Sequence, residues 1–175
     1  FSNGLNFDSS TGEITGTPNT LQTRTEYTIT ATNSGGTSTA YVNITINDVV
    51  PAINYNPDQF DLTNGTTMST VTPSNSGGPV ITWWISPSLS NGLNFDNSNG
   101  VISGTPTELR PTTMYTITAT NSGGSSVAYV NITVTDSAPS ISYTPNVFDL
   151  TINAAMSPTA TPNNIGGAIP TRIVD

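Results

Sequence analysis

One block of sequence occurs more than once at a fixed offset, and this confines the chain to a modular fold. The run Gly4-Leu5-Asn6-Phe7-Asp8 returns as Gly92-Leu93-Asn94-Phe95-Asp96, an offset of 88. Residues 25–36 return as 113–124, and Phe60-Asp61-Leu62 returns as Phe148-Asp149-Leu150, both at that same offset. A period of this length exceeds that of solenoid repeats and propeller blades and suits a complete β-sandwich of about 100 residues.

The boundaries between units fall at Asn47-Asp48-Val49-Val50-Pro51 and Thr135-Asp136-Ser137-Ala138-Pro139, where a strand pattern stops at Asp and Pro follows. Residues 1–50 read as the C-terminal part of a preceding module, 51–138 as one complete β-sandwich module, and 139–175 as the N-terminal part of a following module. Pro restricts the linkers, so adjoining modules are expected to be held semi-rigidly. The two partial units together amount to almost one period. Either the segment belongs to a longer array, or half-modules on separate subunits complete one another head to tail.

Apolar residues alternate with polar ones in Tyr27-Thr28-Ile29-Thr30-Ala31 and in Ala40-Tyr41-Val42-Asn43-Ile44-Thr45-Ile46. Period-two alternation marks a half-buried strand on each side of the Asn33-Ser34-Gly35-Gly36 turn, which predicts a hairpin. Ala40, Val42, Ile44 and Ile46 are expected to face a core, as are Ala128, Val130, Ile132 and Val134 in the later copy. Short apolar clusters between Asn, Gly, Pro and Ser bring the count to about seven strands per module, and the fold class is all-β, tandem immunoglobulin-like Greek-key sandwiches. Tyr27 and Tyr115 resemble tyrosine corners, with the hydroxyl expected on backbone.

Composition narrows the chemistry. The chain has no Cys, no His and no Lys, so disulfides, thiolate metal sites, His-based triads and Schiff-base chemistry are excluded. No enzymatic role is expected. Eleven acidic residues against three Arg give a net charge of −8, and Arg24, Arg110 and Arg172 stand far apart. Nucleic acid is not an expected partner, because phosphate backbones require clustered cations. No apolar run is long enough to span a bilayer, so direct membrane insertion is not expected. Charged residues make up only 8% of the chain, leaving a Thr, Ser and Asn surface that points to an extracellular or cell-surface location.

The run Gly92-Leu93-Asn94-Phe95-Asp96, followed by Gly100-Val101-Ile102-Ser103-Gly104-Thr105-Pro106 and by Tyr115-Thr116-Ile117-Thr118-Ala119-Thr120-Asn121, resembles the putative-Ig repeats of prokaryotic surface proteins. These are relatives of dystroglycan-type cadherin-like domains. The resemblance implies an extracellular β-sandwich used in stalks, adhesins and surface fibres.

Several residues are candidates for more than structure. Trp83 and Trp84 are adjacent and in a strand must point to opposite faces, one to the core and one outward as an interaction candidate for a glycan or a neighbouring chain. Asp48 and Asp136 end modules in a pattern similar to the cadherin calcium linker. Calcium takes six to eight oxygens, and a strand-terminating turn is the competing role, so no cofactor other than this weak calcium candidate is expected. Asn43, Asn64 and Asn131 open Asn-x-Thr acceptors for N-glycosylation, in a number that composition alone supplies.

The reading is a structural and adhesive repeat forming a stalk or filament shaft of an extracellular surface protein, with neighbouring modules, copies of itself, glycans or cell-surface proteins as partners. Two alternatives stand beside it. One is a self-assembling filament subunit whose end half-modules complement head to tail, and the other is a carbohydrate-binding module of a secreted hydrolase.

Overall fold

The computed structural model describes residues 1–174. Thr and β-branched residues dominate the alternating segments and fit a pleated surface, so the described residues form strands and turns only. In chain order the strands are β1 (Leu5–Phe7), β2 (Ile14–Gly16), β3 (Gln22–Asn33), β4 (Gly36–Ile46), β5 (Ile53–Asn54), β6 (Gln59–Thr63), β7 (Ser74–Asn75), β8 (Thr82–Ser86), β9 (Leu93–Asp96), β10 (Val101–Gly104), β11 (Arg110–Asn121), β12 (Gly124–Thr135), β13 (Ile141–Tyr143) and β14 (Pro162–Asn164).

One layer is the four-stranded sheet β6-β12-β11-β8. β11 and β12 are the predicted hairpin, paired from Asn121↔Gly124 outward. Its tight turn needs a positive φ at Gly124 (144°), and the Asn121 Oδ1 accepts the Gly123 N–H at 2.8 Å. β6 joins β12 in parallel, in register from Asn131↔Gln59 to Thr135↔Thr63. The second layer comprises β5 with β7 and β9 with β10, extended by residues 68–71, which bond to β10 through Val71↔Ile102.

Between the layers lies a single core. Its buried apolar residues run from Ile53 to Val134, and Tyr115, Ile102, Ile117, Ile132 and Val130 have less than 2% of their surface exposed. Ala128, Val130, Ile132 and Val134 all point inward, as their alternation requires.

The first copy shows what the repeated hairpin does with only part of the opposing layer, the β1–β2 pair that matches β9–β10, beside it. β3 and β4 form the same hairpin in the same register, including the irregularity between Gln22 and Thr25 that matches Arg110 and Thr113. Yet Tyr27, Ile29, Val42, Ile44 and Ile46 are only half-buried, and Ala40 is exposed. The hairpin is local and self-sufficient in hydrogen bonds, whereas burial of its inner face requires the strands of the preceding half-unit.

Candidate interaction surfaces

Each junction between repeats is a clasp built from backbone and glycine. Residues 48–51 leave β4 and run across the end of the β11–β12 hairpin. Asn121, 7% exposed, reaches over them: its Nδ2 donates to the Val49 carbonyl at 2.7 Å and to the Pro79 carbonyl at 3.0 Å. With its Oδ1 held by Gly123, this buried amide is satisfied on both sides. The Gly78 N–H donates to the Val50 carbonyl at 3.2 Å, and the Ser122 Oγ accepts the Asp48 N–H at 3.0 Å.

The glycines are required by proximity. A Cβ on Gly77, Gly78 or Gly123 would collide with the carbonyl oxygens of Val50, Val49 and Asp48 respectively. The second junction repeats the arrangement: Gly166 and Gly167 lie against the Ala138 and Ser137 carbonyls, and the Ser140 N–H donates to Asn164 Oδ1 at 3.0 Å, as the Ala52 N–H does to Asn75 Oδ1 at 2.9 Å. The sequence reading assigned no role to Gly77, Gly78, Gly166 or Gly167. The signal that marks them is the Gly-Gly pair at 77–78 and again at 166–167, each beginning two residues beyond a repeated Asn, Asn75 and Asn164.

Asp48, a calcium candidate by sequence, takes part in this clasp through its Oδ2, which accepts from Ser122 Oγ at 3.3 Å. Asp136 is exposed and its Oδ1 accepts the Ser137 N–H at 3.0 Å. Among the described residues no group of three or more acidic side chains converges at either junction.

Trp83 and Trp84 separate as adjacent strand residues must. Trp83 is half-buried and lies on Gly100, where a Cβ would sit 2.6 Å from its ring. Trp84 is 62% exposed on the outer face of the four-stranded sheet. It stands opposite Thr118, which pairs with Val127 on its other side; the next row is Ser86, Thr116 and Tyr129, and Tyr129 is 55% exposed.

Of the acceptor asparagines, Asn43 is exposed on β4 and accepts from Arg24 Nε at 3.3 Å. Asn131 is half-buried between β6 and β11. Asn64 follows β6; its N–H donates to the Thr135 carbonyl at 2.8 Å, while its buried Oδ1 has no partner among the described residues.

Tyr115 is fully buried, but its hydroxyl does not bond to backbone as a tyrosine corner would. It accepts from Arg110 Nη1, and Arg110 Nη2 donates onward to Ser90 Oγ at 3.0 Å. In the first copy Gln22 stands at the Arg110 position and accepts from the Tyr27 hydroxyl at 3.1 Å. A long polar side chain at the irregular start of the strand takes the role expected of the backbone.

Other titratable groups serve turns. Side-chain and then backbone hydrogen bonds from Ser98 hold the Asp96 carboxyl below its ordinary 3.8, and Ser10 does the same for Asp8. Burial pushes the Tyr55 hydroxyl well up, so it remains protonated and donates to the Gly100 carbonyl.

Two stacked β-layers, with a parallel pairing of the early β6 and the last strand β12, define an immunoglobulin-like domain. The chain belongs to the family described as Putative Ig domain, which matches residues 3–47 and 50–135. This is the family that the Gly-Leu-Asn-Phe-Asp and Gly-Thr-Pro runs indicated. Over 114 residues the chain is 32% identical to the serine-rich adhesin for platelets of Staphylococcus aureus, covering 63% of this chain and 5% of that protein. Among solved structures it is similar to extracellular domains 3–5 of Drosophila OTK, at 22% identity over 75% of this chain and 46% of that one, with a TM-score of 0.46. It is also similar to a putative alpha-galactosidase of Bacteroides fragilis, at 29% identity over 50% and 18% of the two chains, with a TM-score of 0.42.

Proposed function

We propose that this chain is a non-enzymatic, load-bearing repeat segment from the shaft of an extracellular surface adhesin. The observation that carries the reading is the parallel pairing of β6 with β12. The chain enters a module just before β6 and leaves it just after β12. Parallel strands put those two points at opposite ends of one ladder, so tension along the chain loads all its hydrogen bonds together in shear. An antiparallel terminal pair would open one bond at a time. The clasped junctions carry the same tension from one unit to the next, and the similarity to a surface adhesin supports the location.

Pulling single molecules from their ends tests this. The middle module is expected to open in one step, with a contour gain of about 30 nm for a chain of its length. Asn64→Pro removes the N–H that extends the ladder to the Thr135 carbonyl and is expected to lower the opening force clearly. An unchanged force in that variant would sink the mechanical role. The exposure of Trp84 and Tyr129 on one face favours a second reading, in which that face takes a polysaccharide. Retention on an insoluble polysaccharide, lost in Trp84→Ala, is the deciding assay.

A further inference from the structure

The outer face of the four-stranded sheet carries two aromatic side chains that the core of the middle module does not claim. Trp84 on β8 is 62% exposed, and Tyr129 on β12 is 55% exposed. Strand β11 lies between them, and they sit in neighbouring rows of the sheet. Strand spacing and rise put their Cα atoms roughly 12 Å apart on one diagonal.

The ground between the two is polar and unspent. Thr120 and Ser125, one row toward the hairpin turn, satisfy each other at 2.8 Å. Thr116, Thr118 and Ser86 stand in the two aromatic rows, half-buried, and among the described residues their hydroxyls have no hydrogen-bond partner. No charged residue occupies either row, in a chain whose net charge is −8.

Trp84 also lines a cleft of about 230 Å³ at the edge of the sheet, where the unpaired side of β8 faces β9. Exposed Ser88, Asn94 and Asn97 share its walls with the more buried Leu93 and Phe95. Neither amide, nor the Ser88 hydroxyl, has a hydrogen-bond partner among the described residues. The volume falls below the roughly 300–1,000 Å³ of sites for drug-sized molecules, so the cleft admits about one ring. The fold does not require Trp84, because Ile173 holds its place in the next repeat. Asn97 answers to Ser9 in the preceding one, whereas Leu93, Asn94 and Phe95 return unchanged as Leu5, Asn6 and Phe7.

We propose that this face and this cleft form one continuous site for an uncharged, extended polysaccharide of equatorially linked pyranose rings. The chain crosses the sheet diagonally from Tyr129 to Trp84 and puts its next ring into the cleft. Equatorial linkage leaves each ring with a flat C–H face that stacks on an aromatic side chain, while its hydroxyls point sideways to hydrogen-bonding groups. The separation of the platforms is too wide for adjoining rings, so they hold two rings with a third between them, over Thr116 and Thr118. Asn94, Asn97 and Ser88 then take the hydroxyls of a fourth. A uronate or sulfate would find no cation here, since Arg110 is turned to the Tyr115 hydroxyl and Ser90.

Other occupants fit less well. A stable contact between copies buries about 800 Å² per partner around an apolar centre, and here Trp84, Val127 and Tyr129 are dispersed among hydroxyls. Strand addition to β8 has five residues to pair with before Pro87, which lacks an N–H. The inference rests on the polysaccharide reading of the Trp84 face and gives it a ligand class, a direction and a minimum length.

Calorimetric titration of the full chain with cello- and chito-oligosaccharides of two to six rings tests it. Affinity should rise roughly tenfold from two rings to three, as the second platform engages, and again at four. Tyr129→Ala should remove the first rise and leave the two-ring affinity unchanged. Asn94→Ala combined with Asn97→Ala should remove the second rise, and Trp84→Ala should weaken every length. Met114→Ala, exposed one row further along β11, should change nothing. Melting at the parent temperature shows that each variant is folded. Equal affinity at all lengths, or a length dependence that survives Tyr129→Ala, would overturn the continuous site and leave a single-platform face standing. Tighter binding of uronic-acid or sulfated oligomers would overturn the ligand class. No binding of any oligomer at roughly 10 mM would overturn the proposal, and with no retention on insoluble polysaccharide the reading beneath it falls too.

Discussion

Replacing Asn121 with Ala removes three hydrogen bonds at once: to the Val49 and Pro79 carbonyls and from the Gly123 N–H. At about 1 kcal/mol each, the loss is roughly 3 kcal/mol, with more if the stranded carbonyls stay dry. For a domain of this size each kcal/mol moves Tm by about 4–8 °C, so a fall of roughly 12–24 °C is expected. The measurement is favourable because both tryptophans, Trp83 and Trp84, lie in the middle module and report its unfolding alone. Asn121→Asp separates the contributions. It keeps the acceptor for Gly123 but aims a carboxylate at two carbonyls, so it should be at least as damaging as the loss of two bonds, about 2 kcal/mol. If urea or thermal titration showed both variants within about 1 kcal/mol of the parent, Asn121 would not be what fixes residues 48–51.

The two tryptophans should part company under substitution. Trp83→Ala empties the space over Gly100 and is expected to cost about 2 kcal/mol or more, whereas Trp84→Ala should stay within about 0.5 kcal/mol by chemical denaturation. The Asp96 carboxyl is held below 3.8 by Ser98, so its contribution is present above that pH and is lost as pH falls through its lowered folded value. Thermal scans should therefore be flat from neutral pH to about 5 and fall below about 4, with part of the acid loss absent in Ser98→Ala. Chelation tests the calcium candidates Asp48 and Asp136: with no cluster of three or more acidic side chains among the described residues, an excess of EDTA should leave Tm unchanged.

What sequence made legible was whatever depends on neighbours in the chain. The alternation in 27–31 and 40–46 gave the hairpin, its turn and its inward residues, because a strand pair joined by a tight turn makes its own ladder. The separation of Trp83 from Trp84 followed from the pleat alone. Partner-dependent structure was hidden. Phe148-Asp149-Leu150 is the same tripeptide as Phe60-Asp61-Leu62, yet only the second is a strand, because only it has β12 beside it. The Tyr115 hydroxyl was misplaced because its partner, Arg110, reaches it across an irregular stretch of β11 that no periodic pattern announces. The clasp was missed for a related reason. A glycine that permits a turn and a glycine that admits a foreign carbonyl look alike in sequence, and Gly78 and Gly123 do the second.

The placement of the two chain crossings at opposite ends of β12 also makes the repeat a unit of distance. In the proposed shaft, every added copy would move the far end outward by about one strand length, on the order of 40 Å. Reach would then follow the number of repeats, and adding or removing 88 residues would retune it without a new kind of contact.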